Sequence, residues 1–238
     1  MGYKNPTLTE ILAELHLEAG TFSEKSFMAF ARELAGGGLD DQELGHTAIV
    51  LGEVEGQDPR LVPRIRCWDR ERIRLVQFSP DAIYVNLIGE FPGWDKFTEH
   101  IRATRVALAN ALKGDIEPVR IDLTTIDKWK VGREGFTIGK YLNCNGLFIP
   151  RWYCDVSVSS DIILGQGFHA KDGFNKKVTV KIRTSDTDAQ FQISATFGVT
   201  DHDRGFDVLL NELHHETVVC FEDLITDVVR NEIMGGRR

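Results

Sequence analysis

The stretch Arg64–Ile88 constrains the fold more than any other part of the chain. In it Ile65, Cys67, Ile73 and Leu75 alternate with Arg64, Arg66, Arg72 and Arg74, the period of a strand with one buried face. Asp69-Arg70-Glu71 and Ser79-Pro80-Asp81 interrupt the alternation, so the stretch reads as three short strands of an antiparallel meander. A sheet with one apolar face must bury that face, and the segments on either side carry helical periodicity. The expected class is therefore α+β, with antiparallel sheets covered by long amphipathic helices.

The remaining elements follow the same logic. Leu8 to Leu17 alternates as a strand, with Ile11, Ala13, Leu15 and Leu17 on one side, Glu10, Glu14 and His16 on the other, and Leu12 as the misfit. Ser23 is placed to cap a helix carrying Phe27, Phe30, Ala31 and Leu34, which Gly36-Gly37-Gly38 ends. Residues 39–62 are acidic and Gly-rich, with one candidate strand at Thr47–Leu51. Phe97, Ile101, Leu108 and Leu112 form a stripe over Trp94–Lys113, stopped by Gly114. Val119–Val131 reads as extended. Further strands are expected near Thr137–Asn143, Trp152–Leu164, Lys177–Arg183 and Gln190–Val199. A last helix from about Asp207 carries Leu210, Leu213, Phe221, Leu224 and Val228, and Thr226 is placed to cap a separate final turn before Gly235-Gly236.

Two halves thus share one order of elements, strands followed by a long helix, with the boundary near residues 116–117. No residue-level repeat relates them. No Pro- or Ser-rich linker divides them, so one continuous domain or two closely joined ones are expected.

Composition narrows the function. With 42% hydrophobic and 27% charged residues, the 238-residue chain has the make-up of an ordinary soluble globular protein. A net charge of -8 and a pI near 5.4 oppose generic binding to nucleic acid or anionic membrane, unless a local basic face overrides the average. Cys67, Cys144, Cys154 and Cys220 are too far apart for a zinc site and read as buried free thiols. The N-terminus has no apolar signal core, and Thr7 falls one place beyond the myristoylation position, so a cytoplasmic location without membrane attachment is expected.

Several local patterns point further. These are Tyr3-Lys4-Asn5-Pro6-Thr7-Leu8-Thr9-Glu10, Leu75-Val76-Gln77-Phe78-Ser79-Pro80-Asp81 with Asn86, and Phe91-Pro92-Gly93-Trp94. Leu213-His214-His215-Glu216 and Phe221-Glu222-Asp223-Leu224-Ile225-Thr226 close the set. Together they resemble a sporadically distributed bacterial family of uncharacterised α+β proteins. Where that family shows Leu-Arg-Tyr-Ile-Asn-Arg, this chain has Leu123-Thr124-Thr125-Ile126-Asp127-Lys128. The resemblance implies an α+β fold without an established catalytic site. The patchy distribution suggests an accessory role in a bacterial defence locus, anti-phage, CRISPR-type or toxin-related.

No P-loop, nucleophile elbow or His-Glu-x-x-His helix occurs, so the commonest ATP-driven and hydrolytic mechanisms lose their usual spacing. Asp201, His202 and Asp203 are the candidate ligands for a divalent ion, in a turn where such residues also occur for conformational reasons. His214, His215 and Glu216 diverge around a helix; one imidazole is expected at the core margin and the other in solvent. Gly165-Gln166-Gly167-Phe168-His169 reads as a hairpin connection. The polar signal is in two basic strand faces: Arg64, Arg66, Arg72 and Arg74 with Trp68, and Lys177, Lys181 and Arg183 opposite Val178, Val180 and Ile182. Arginine beside an aromatic ring can hold phosphates or stack on bases, whereas a plain sheet face is neutralised by nearby acids. The leading expectation is a non-catalytic protein-binding adaptor, without a cofactor, whose partner is encoded nearby. The alternative is a nucleic-acid or phosphate-ligand binder using the arginine face, and a metal-dependent hydrolase is third.

Overall fold

The computed structural model describes residues 4–49, 60–132, 137–143, 162–169, 174–184, 188–199 and 204–236. In chain order these form β1 (Leu8–His16), α1 (Glu24–Gly36), β2 (Asp41–Ile49), β3 (Arg60–Trp68), β4 (Arg74–Ser79), β5 (Ala82–Ile88) and α2 (Trp94–Leu112). Then come β6 (Arg120–Gly132), α3 (Ile138–Tyr141), β7 (Ile162–His169), β8 (Phe174–Thr184), β9 (Asp188–Val199), α4 (Phe206–Leu224) and a short π-helix, α5 (Val229–Ile233). The fold is α+β with antiparallel strand pairing. It divides into two compact units, an N-terminal one of Leu12–Ile121 and a C-terminal one of Asp122–Arg238 that also takes Met1–Ile11.

In the N-terminal unit the strand order is β2-β3-β4-β5-β1. The meander anticipated from Arg64–Ile88 is present, with Cys67 opposite Val76 and Val76 opposite Val85. Its inward residues, Ile65, Cys67, Val76, Phe78, Ile83 and Val85, are buried together with Ala13 and Leu15 of β1. Helix α1 starts at a capping box in which the Ser26 amide donates to the Ser23 hydroxyl oxygen while the Ser23 amide donates to Ser26 Oγ. It buries Phe27, Phe30, Ala31 and Leu34, as their spacing requires. Helix α2 buries Phe97, Ile101 and Leu108, and ends at Lys113 in the left-handed conformation.

In the C-terminal unit the order is β7-β8-β9-β6, with the start of β1 beside β6. Trp129 of β6 stacks on Phe191 of β9 at 4.9 Å between ring centroids, and Tyr141 of α3 lies 5.5 Å from the same ring. Helix α4 closes this layer with Leu209, Leu210, Leu213, Phe221 and Leu224. Within each unit the first strand lies beside the last strand of its meander, β1 with β5 and β6 with β9, and a long helix follows. The two halves are thus alike in topology, although no residue pattern repeats.

Four expectations need correction. The strand expected at Thr47–Leu51 begins at Asp41, because pairing with β3 from Asp41↔Trp68 to Ile49↔Arg60 supplies what its acidic sequence lacks. The segment expected to be a strand over Thr137–Asn143 is helix α3: Ile138, Tyr141 and Leu142 are buried at the i, i+3, i+4 spacing of a helix. Asn143 then ties it to the end of α4, its Nδ2 donating to the Asp223 and Ile225 carbonyls. Gly165–His169 is not a connection but part of β7, paired with β8 from Gly165↔Thr179 to His169↔Asn175. Lastly, Val228 does not belong to the final long helix, which stops at Leu224, although the separate element expected after Thr226 is present as α5. Residues 152–161, expected to be strand, lie outside the described residues.

Candidate functional site

The arginine-rich strands were the strongest polar signal, and the turn between β3 and β4 decides their arrangement. Arg64, Arg66 and Trp68 point away from the buried Ile65 and Cys67. Asp69, only 4% exposed, then organises the turn: its Oδ1 accepts the amides of Ile73 and Arg74 at 2.9 and 3.1 Å, and its Oδ2 accepts Arg74 Nε at 3.0 Å. Arg72 takes a positive φ of 57°, a conformation that a non-glycine residue adopts only when its surroundings hold it there. Asp69→Ala removes three hydrogen bonds at once, leaving two turn amides without this acceptor, and is expected to cost about 2–4 kcal/mol. A lowered urea midpoint checks this, with Asp69→Asn, which keeps Oδ1, falling between the two.

Beyond this turn the arginines do not share a face. Leu75 pairs with Trp68 and with Asn86, so Arg74, one residue earlier and opposite Leu87, lies on the other side of the sheet, with α1 and α2. Its guanidinium nitrogen Nη2 is 3.6 Å from the point where a Cβ on Gly38 would stand. The expected face of Arg64, Arg66, Arg72 and Arg74 therefore reduces to Arg64 and Arg66, with Arg72 at its margin. Arg72 pairs with Asp41 and with Glu43 Oε1 at 3.0 Å, and its guanidinium sits 5.0 Å from the Trp68 ring. Arg66 contacts Gln77 Oε1 at 3.1 Å and Glu43 at 4.0 Å, and Arg64 stacks over Tyr84 at 4.5 Å. Asp41, Glu43 and Asp69 thus offset Arg66, Arg72 and Arg74. The cluster is an internally neutralised network, not a free cationic surface.

Arg74 leads to a feature that sequence reasoning missed. Two hollows of about 460 and 640 Å³ on the helical side of the N-terminal unit share Arg74, His100 and Ala103 as wall. His100 is buried, and burial together with the nearby Arg74 charge lowers its pKa to about 4, so the imidazole is neutral at neutral pH. A hydrogen bond to the Leu75 backbone opposes that shift without reversing it. The only signal in the sequence is that His100 sits between Phe97 and Ile101 on the apolar stripe of α2.

The second basic strand keeps the expected alternation. Lys177, Lys181 and Arg183 of β8 stand opposite Thr196, Gln192 and Gln190 of β9, while Val178, Val180 and Ile182 are buried. Asp201, His202 and Asp203 lie outside the described residues. His214 is half-buried and His215 exposed; burial first, and then the His215 charge, lower the His214 pKa. Cys67 is a buried free thiol whose pKa desolvation raises to about 12, which makes it unreactive at neutral pH. Among the described residues no helix is long and apolar enough to cross a membrane.

One further feature concerns a sheet edge. Among the described strands, β2 stands at the end of the strand order, paired with β3. Leu44, opposite the buried Ile65, is 75% exposed.

The architecture defines an α+β protein of two units, each a meander of antiparallel strands with helices packed on one side. No known protein family, curated protein or solved structure matches the chain.

Proposed function

We propose that the protein is a non-catalytic adaptor which captures an extended segment of a partner protein along β2. Leu44 carries the reading: it is a large apolar side chain, 75% exposed, on an edge strand. An edge strand presents unpaired backbone donors and acceptors, and an added strand satisfies them while its alternate side chains meet those of the edge. Free charge along an edge normally discourages such pairing. Here Asp41 and Glu43 are engaged by Arg72 and Arg66, and they point to the face opposite Leu44. A cytoplasmic location, and a partner encoded beside the protein in a bacterial defence locus, belong to the same proposal.

The test is affinity purification from the native host. Wild-type protein is expected to retain a stoichiometric partner that Leu44→Asp loses, although the circular dichroism and Tm of this variant match wild type because the site is exposed. A clean monomer, or equal retention by Leu44→Asp, overturns the adaptor reading.

A further inference from the structure

We infer that the open sheet face of the C-terminal unit binds single-stranded nucleic acid through Lys128 and Lys130 of β6 and Lys177, Lys181 and Arg183 of β8. This inference is independent of the β2 edge. Trp129, Phe191, Val180 and Ile182 point to the buried side of this sheet. By the period of a strand, Lys128, Lys130, Lys181 and Arg183 point the other way. Thr124 Oγ1 lies 2.8 Å from Thr196 Oγ1, so β6 and β9 present their even-numbered residues on that same face.

Strand β9 runs between β6 and β8, so the two cationic rows are separated by two strand spacings, about 10 Å. Along each row, residues two apart stand about 7 Å from one another, a step that suits the repeating phosphates of an extended strand. The β9 side chains between the rows are Gln190, Gln192, Ser194 and Thr196, which offer both donors and acceptors to base edges.

What separates this face from the arginine cluster of the other unit is neutralisation. Arg66, Arg72 and Arg74 are each held by a carboxylate. None of the five side chains on β6 and β8 makes an ion pair or side-chain hydrogen bond with a described residue. Glu10, Asp122 and Asp188 share the face, but Asp122 is buried and all three have interactions of their own. Five cations in two rows, without an ion pair among the described residues, favour a polymer of regularly spaced anions over a single small one. Contacts from the cationic rows to phosphates carry no sequence information, so the affinity they supply is expected to be tolerant of sequence.

Fluorescence anisotropy with labelled oligo(dT) and oligo(U) of about 12 nucleotides tests the assignment. Five phosphate contacts predict that log K falls against log salt with a slope of about -3.5, or about 100-fold between 50 and 200 mM. The double variant Lys181→Ser/Arg183→Ser should bind roughly tenfold more weakly with a slope nearer about -2, while Arg64→Ser/Arg66→Ser binds as wild type. Unchanged Tm in both variants keeps the comparison clean. Absence of binding at 50 mM salt, a salt-independent affinity, or loss in the Arg64/Arg66 variant alone overturns the inference. So does equal affinity for poly-glutamate, which would make the face a dock for acidic protein, or for a duplex of the same length.

Discussion

Phe78→Ala is expected to destabilise the N-terminal unit by about 3–5 kcal/mol, the range for emptying a buried aromatic site. Phe78 is fully buried and its ring lies 4.7 Å from both Phe27 and Phe30, edge-on to each, with Phe22 at 6.1 Å. These rings join α1 and the segment before it to the centre of the meander, so the cavity would open between a helix and its sheet, where neither side can collapse freely. Edge-to-face contacts add to the loss beyond the area buried. The measurement is urea unfolding followed by a probe in this unit, and the midpoint should fall by about 1.5 M. Val106→Ala, at a site 62% exposed, serves as the control and should change stability by less than about 0.5 kcal/mol. An effect of that small size at Phe78 would mean that the aromatic cluster does not hold α1 to the sheet.

The second large effect is a pH dependence centred on Asp127. This carboxyl is 5% exposed on the apolar side of β6, where burial raises its pKa from 3.8 to about 7. The Thr7 hydroxyl donates to Oδ1 at 2.9 Å and opposes the shift, but one hydrogen bond does not replace the lost hydration of a charge. The folded state therefore keeps a proton between about pH 4 and pH 7 that the unfolded chain has released. The stability due to this group is complete below pH 4 and declines as pH rises through 7, by about 1.4 kcal/mol per unit, and is level above that. Asp127→Asn keeps an acceptor for Thr7 and removes the titration. Near pH 4 the variant and wild type should be similar, and at pH 8 the variant should be the more stable by several kcal/mol, visible as Tm profiles that diverge as pH rises. Parallel profiles would show that Asp127 is hydrated in the folded protein.

The local elements were legible because each is held by a near-neighbour pattern. The Ser23 cap, the stripe of Phe97, Ile101 and Leu108, the alternation of Ile65 and Cys67, and that of Val178, Val180 and Ile182 are properties of consecutive residues, and all appear as expected. Helix α3 could also have been anticipated, since Ile138, Tyr141 and Leu142 already have helical spacing. Gly165–His169 could not, because its strand is imposed by β8 against its own propensity.

Whether a cationic row is free or neutralised depends on which residues the sheet order brings alongside. Arg66 and Arg72 meet Glu43 and Asp41 only because β2 pairs with β3 in one register, and Arg74 changes side only because Asp69 folds the preceding turn as it does. Lys128 and Lys130 flank Lys181 and Arg183 only because β9, sixty residues and more further on, lies between β6 and β8. By itself the sequence determined the α+β class, the main helices and the inward face of most strands, since these follow from periodicity and capping within a few residues. The tertiary structure alone decided which charges meet, because Coulomb interactions depend on distance through space and not along the chain.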